Sequence, residues 1–170
     1  APELSDALAL VSDLTKRIRE LSLDLRPSML DDLGLIPTLL WYFQRYLQQT
    51  GITIDFKHSE VDRRFPPIIE TTVYRIIQEA LTNVARYAQV TAATVRLWAA
   101  SETLLIQIED AGVGFDLAAL QSANKTGGLI GMHERVQLVG GRLEIESNLG
   151  SGTLVNAYIP LSTDRPGNVS

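Results

Sequence analysis

The sequence predicts an α+β fold: one mixed sheet covered on one face by helices, an α/β sandwich, preceded by a coiled-coil-like helix. Three observations predict it. Apolar residues recur at helical spacing over residues 35–49 and 67–88, and they alternate at period two over five shorter runs. The runs 91–100 and 103–110, and then 142–148 and 152–161, read as two adjacent hairpins, and helix and strand patterns are mixed after residue 34. Over 4–26 the apolar positions repeat alternately three and four apart, the seam pattern of a coiled coil.

In chain order, Leu4, Ala7, Val11, Leu14, Ile18, Leu21 and Leu25 form that seam, with Asp6, Asp13, Lys16, Arg17, Arg19, Glu20 and Asp24 on the solvated side. Pro27 ends the helix. Such a stripe must pack on something, either its own domain or a partner in an intermolecular bundle. After "SMLDDLGL" a second helix, about 35–49, presents Leu39, Leu40, Tyr42, Phe43, Tyr46 and Leu47, and Gly51 closes it. "ITIDFKH" alternates as a strand, and Pro66-Pro67 opens a third helix, about 67–88. The two hairpins flank a glycine-punctuated stretch, 111–131, and a helix over "IGMHERVQLVGG" that ends at Gly140 or Gly141. The organisation expected is therefore a helix over 1–27, a domain over 28–161 and a disordered polar tail over 162–170.

Composition excludes several classes of function. The 170 residues suffice for one domain with a core plus an attached element. A net charge of -5 argues against a nucleic-acid footprint. The absence of cysteine excludes disulfides and thiolate metal sites and fits a reducing, cytoplasmic setting. No apolar run approaches the length of a membrane helix, so no membrane contact is expected. Because the chain begins Ala1-Pro2, it is expected to be a processed chain or a fragment of a longer one.

Four motifs could carry chemistry. In "QEALTNVARYA", Glu79 and Asn83 are four apart on one helix face, with Arg86 on the neighbouring turn. An acid, an amide and a guanidinium there could hold a divalent cation and phosphate oxygens, or form a solvent-facing polar strip. In "EDAGVGFD", Asp110 ends a strand and could accept a hydrogen bond from an amino group, with Gly112 and Gly114 allowing close backbone approach. An ordinary Asx-type turn would look the same. In "TGGLIGMHERV", Gly127 and Gly128 precede a helix with Gly131 in its first turn, an arrangement whose amides favour phosphate. In "NLGSGTLV", Gly150 and Gly152 flank a turn into the last strand and Thr153 offers a hydroxyl. Neither a P-loop nor a dinucleotide fingerprint occurs, and each motif is weak alone.

In this order, over about residues 66–160, the four motifs resemble the asparagine box and three glycine boxes of the GHKL ATPases. That superfamily includes sensor histidine kinases, gyrase, Hsp90 and MutL, and shares the Bergerat fold. "DLRPSMLDDLGL", "YRIIQEALTNVARYA" and "GLIGMHERVQLVGGRLEIESNLGSGTLV" narrow the resemblance to sensor histidine kinases that partner response regulators of the NarL/LuxR type.

The resemblance implies γ-phosphoryl transfer from ATP, with magnesium, to a histidine. It implies that Asn83 holds the magnesium and that Glu79 orients a magnesium-bound water or acts as general base. Arg86 would stand near the phosphates. Tyr87 departs from the family, which often has histidine there, so its contact would be a neutral hydrogen bond. Asp110 would accept from adenine N6, Gly112 and Gly114 would shape the pocket, and Thr153 would contact the base directly or through water. Residues from about 116 to 127 would form an ATP lid, with Gly127, Gly128, Leu129, Gly131 and Met132 at its hinge and at the phosphate-binding helix start. The segment 4–26 would be the second dimerisation helix of a homodimeric parent. The phosphoacceptor belongs to a first helix that is not in the sequence. His133-Glu134 and His58 are expected at the surface rather than as acceptors. A nucleotide-binding module without kinase activity and an anti-sigma-factor-type serine kinase are the alternatives.

Overall fold

Five strands form one sheet in the order β1-β2-β3-β5-β4, in a computed structural model that describes residues 28–122 and 127–161. The expected helix over 4–26, the tail over 162–170 and the lid positions 123–126 lie outside the described residues. Along the chain come α1 (Ser28–Leu33), α2 (Leu35–Thr50), β1 (Thr53–Ser59), α3 (Pro67–Asn83), β2 (Ala92–Ala100) and β3 (Thr103–Asp110). They are followed by α4 (Leu117–Ser122), α5 (Gly127–Leu138), β4 (Arg142–Ser147) and β5 (Thr153–Pro160). Strand β1 runs parallel to β2, and every other pairing is antiparallel, so the sheet is mixed as expected. Both expected hairpins are present.

Alternation along the strands decides which face is covered. Val95 and Leu97 of β2, Leu104, Ile106 and Ile108 of β3, and Val155, Ala157 and Ile159 of β5 are buried against the helices. From the helix side come Leu39 of α2, Ile76, Ile77 and Leu81 of α3, and Met132 and Val136 of α5. Each fully buried aliphatic side chain contributes about 1.5–3 kcal/mol. The opposite face is polar: Arg96 donates to Gln107 at 2.6 Å and Gln107 to Asn156 at 3.0 Å, a ladder across three strands.

Local chemistry sets the ends of the helices that build the site. Helix α2 stops at Gly51, whose φ of +73° lets its amide reach back to the Leu47 carbonyl at 2.8 Å. Helix α3 starts at Pro67, where a missing N–H costs nothing, and the Pro66 carbonyl accepts from the amides of Ile69 and Glu70. Between α2 and α3 lies a layer of buried tyrosines. Tyr42 and Tyr74 meet edge to face at 5.6 Å, and the Tyr46 hydroxyl donates to the Leu81 carbonyl at 2.8 Å.

Three boundaries differ from the sequence expectation. The third helix is α-helical only to Asn83; Val84–Ala88 is a π turn, ended by Gln89 in the left-handed region. Helix α5 begins at Gly127, so Gly127 and Gly128 lie inside its first turn rather than before it. The short helices α1 and α4 were not anticipated; α1 is cut off from α2 by Gly34, with φ +85°. Glycine lets the chain turn there at no steric cost, so "SMLDDL" forms a helix of its own ahead of the expected one.

Candidate functional site

A cavity of about 430 Å³ opens between the end of α3, the start of α5 and the β3 and β5 strands. That is a size typical of small-molecule sites. Ten expected site residues line it: Glu79, Asn83, Arg86, Tyr87, Asp110, Gly114, Gly128, Leu129, Met132 and Thr153. Gly112, Gly127 and Gly131 do not. The first two instead let backbone pass, or begin a helix, next to the residues that do.

Helix α3 supplies one wall. Glu79 and Asn83 are half-buried one turn apart, and the π turn that follows carries the exposed Arg86 and Tyr87 to the rim. π turns inside α-helices frequently mark functional sites. Opposite, the first turn of α5 packs directly on Glu79. A Cβ at Gly128 would land on the Glu79 carboxylate oxygen. The missing side chain at Gly128 leaves the Glu79 carboxylate its place against α5, and this packing brings helix amides and the positive end of the α5 dipole to the cavity wall.

Strand β3 supplies the floor. Asp110 is 7% exposed, and its Oδ1 accepts the Gly112 amide at 2.9 Å. Burial raises its pKa above the ordinary aspartate value, while the amides of Gly112 and Thr153 pull the other way. A carboxylate offers about four lone-pair positions, so acceptor capacity remains towards the cavity.

The loop after Asp110 is held from both sides. The Val113 amide donates to the Ala88 carbonyl at 3.0 Å, and the Gly150 amide to the Val113 carbonyl at 2.7 Å. A Cβ at Gly112 would land on the Ala88 carbonyl, and one at Gly114, with φ +60°, on the Asn148 carbonyl. Both glycines of the "AGVG" stretch are therefore required by close backbone approach.

Thr153 is set by a residue the sequence reading missed. Ser147 Oγ accepts the Phe115 amide at 3.0 Å and donates to the Gly152 carbonyl at 2.9 Å. Its single hydrogen is thus committed, so in its 3.0 Å contact with Thr153 Oγ1 the threonine is the donor. The Thr153 oxygen then presents acceptor lone pairs to the cavity. Two neighbouring acceptors, Asp110 and Thr153, suit a ligand amino group.

The apolar lining also escaped the sequence reading: Val84, Ile108, Val113, Phe115 and Val155. Strand alternation could have found two of them, since Ile108 precedes Asp110 by two and Val155 follows Thr153 by two. His133 is exposed on α5. His58 stacks near Phe56 at 5.1 Å and lies 3.7 Å from Asp62, outside the cavity.

Apolar walls, paired acceptors at one end and a carboxylate, an amide and helix amides at the other describe a nucleotide site. Residues 68–163 match the family described as histidine kinase-, DNA gyrase B- and HSP90-like ATPase, and the chain belongs to that family. Among curated relatives it is 37% identical over 164 residues to the signal transduction histidine-protein kinase/phosphatase DegS of Brevibacillus brevis, covering 95% of this chain and 42% of DegS. It is 39% identical over 154 residues to the oxygen sensor histidine kinase NreB of Staphylococcus carnosus, covering 90% of this chain and 44% of NreB. The chain thus spans less than half the length of either relative. Among solved structures, the blue-light activated histidine kinase of Erythrobacter litoralis has the same fold, with a TM-score of 0.65 at 23% identity over 92% of this chain and 51% of that one. The Acinetobacter baumannii histidine kinase AdeS gives 0.61 at 14% identity over 94% and 84% of the two chains.

The residues fit ATP and magnesium. Among the described residues no cluster of three or more His, Cys, Asp or Glu could hold a metal alone. Magnesium needs no such cluster, because it takes one or two protein oxygens and completes its shell with phosphates and water. No helix among the described residues is long and apolar enough to cross a membrane.

Proposed function

We propose that this chain is the ATP-binding catalytic domain of a two-component sensor histidine kinase, acting in the cytoplasm of its cell. Segment 4–26 serves as the second dimerisation helix of a homodimeric parent. The observation that carries the reading is the convergence of Glu79, Asn83, Asp110, Gly128 and Thr153 on one cavity in a chain of this ATPase family. The naming of its relatives as histidine kinases supports it further.

In this reading Asp110 and Thr153 accept from the adenine amino group, and Ile108, Met132 and Val155 exclude water from the base. Asn83 would hold magnesium through its side-chain oxygen, and the ion, when bound, would neutralise phosphate charge. The α5 amides and Arg86 stabilise phosphate charge, with the Tyr87 hydroxyl at the rim. The bond between the γ-phosphorus and the β,γ-bridging oxygen breaks while a phosphorus–nitrogen bond forms to an imidazole on a dimerisation helix outside this sequence. ADP leaves, and the imidazole proton passes to Glu79 directly or through water. Catalysis is then positioning and charge stabilisation rather than covalent chemistry by the domain. The phosphoryl group would go on to an aspartate of a response regulator of the NarL/LuxR type. The "DLRPSMLDDLGL" junction favours this branch over an anti-sigma-factor-type serine kinase.

Labelled ATP supplied together with an acceptor-containing dimerisation domain tests the proposal. Phosphohistidine that forms with the wild-type chain and disappears with Asn83→Ala supports it. Nucleotide binding without any transfer supports a regulatory nucleotide-binding module instead.

A further inference from the structure

Two carboxylates are buried among the described residues, and the site uses only Asp110. The other, Glu70 in the first turn of α3, has no exposed surface. Its Oε1 accepts from Arg64 Nε at 3.0 Å and from the Phe65 amide at 3.0 Å; its Oε2 accepts from Arg64 Nη2 at 3.1 Å. The same guanidinium reaches the other way. Nη2 donates to the Leu30 carbonyl at 2.9 Å and Nη1 to the Asp31 carbonyl at 3.1 Å.

Those carbonyls belong to α1, where the last-turn carbonyls have no amide donors from the helix itself. Gly34 passes so close that a Cβ would lie 3.0 Å from Arg64 Cδ. The glycine of "LDDLGL" therefore makes room for this arginine as well as turning the chain. One planar fork thus ties the helix that receives the chain at Ser28 to the helix that carries Glu79 and Asn83. A lysine has three donors on one nitrogen and no planar fork, so it cannot make these four bonds at once.

We propose that Arg64 is a positioning residue: by gripping Glu70 of α3 and the Leu30 and Asp31 carbonyls of α1 together, it fixes how α1, the helix the chain enters at Ser28, sits on the nucleotide helix. Glu70 and Asn83 lie about 20 Å apart along α3 at 1.5 Å per residue, so Arg64 acts on the site through a stiff rod and touches no ligand. Its consequence for phosphoryl transfer rests on the kinase reading. Segment 4–26 must present its partner helix to the γ-phosphate, and a misplacement of about 1 Å can cost a transfer step on the order of 100-fold. The joint itself does not depend on that reading.

Because the chain has no cysteine, nitroxide labels can be placed at Ser28→Cys and Glu146→Cys, both exposed, and the distance distribution between them measured. With Arg64 in place the distribution is single and narrow; Arg64→Lys widens it about twofold or more while ATP affinity stays within about twofold. Glu70→Gln keeps the shape of the gripped side chain but removes its charge and one of its acceptor oxygens. It should widen the distribution too, and it decides the matter if Arg64→Lys fails to fold. An unchanged width in the folded variants overturns the proposal. With an acceptor domain supplied, Arg64→Lys should slow transfer about tenfold at unchanged ATP affinity. Equal rates would overturn the catalytic consequence. A wild-type chain that never transfers removes the kinase reading, and the distance measurement still judges the joint.

Discussion

Replacing Asp110 with asparagine should separate binding from stability, because the carboxylate serves one at the expense of the other. A hydrogen bond to an ionised partner contributes about 1.5–3 kcal/mol, so losing the acceptor towards the ligand amine should weaken ATP binding about 10- to 150-fold. The fold should not suffer. Asparagine keeps an oxygen for the Gly112 amide, now at 2.9 Å from Oδ1. Burial raises the Asp110 pKa above its ordinary value, so the folded state holds the proton more tightly than the unfolded chain. An acid shifted that way costs stability when ionised. The cost is complete above the folded pKa and is relieved as pH falls through it towards the unfolded value. At neutral pH Asp110→Asn therefore removes a penalty, and its Tm should equal or exceed that of the wild type. Titration calorimetry with ATP and a thermal melt on the same samples measure both. The wild type should also lose affinity as the pH drops, beginning above the range of an exposed aspartate, and that step should be missing from the variant. Unchanged affinity in Asp110→Asn refutes the acceptor role. A fall in Tm alongside weaker binding would make the loss of affinity a folding defect instead.

Gly112→Ala should drive a methyl into the Ala88 carbonyl. It should cost about 1–3 kcal/mol in urea denaturation, as overpacking does, and weaken nucleotide binding because the same loop carries Val113 and Gly114. Ser147→Ala removes three hydrogen bonds and frees Thr153 to turn. It should weaken ATP binding about threefold to tenfold, the effect of about one hydrogen bond, with a smaller loss for a purine triphosphate lacking the 6-amino group.

How far the sequence speaks for this molecule depends on the kind of signal. The β3 alternation of Leu104, Ile106 and Ile108 against Gln107 and Glu109 is a period-two pattern set by one covered face, and the burial along β3 follows it. Asp110 and Gly114 alone read equally well as an ordinary Asx-type turn. The order of four boxes then tied distant residues to one cavity. Features made by contact between elements stayed hidden. Nothing local in "VARYA" announces a π turn, which forms where the end of α3 meets the loop at Val113. Ser147 reads as an ordinary strand residue until Phe115, Gly152 and Thr153 are seen around it. Arg64 and Glu70 are six apart across a proline pair, so no helical spacing links them, and only the fold shows the clamp.

In the proposed site, α3, β3, β5 and the start of α5 together bind ATP, held through magnesium at Asn83. Calorimetric titration of ATP into the wild type and into Asn83→Ala, each with magnesium and with a chelator, tests it most directly. Magnesium should tighten ATP binding to the wild type about tenfold or more, and Asn83→Ala should abolish this gain while still binding the adenine end. An equal gain from magnesium in both proteins would contradict it.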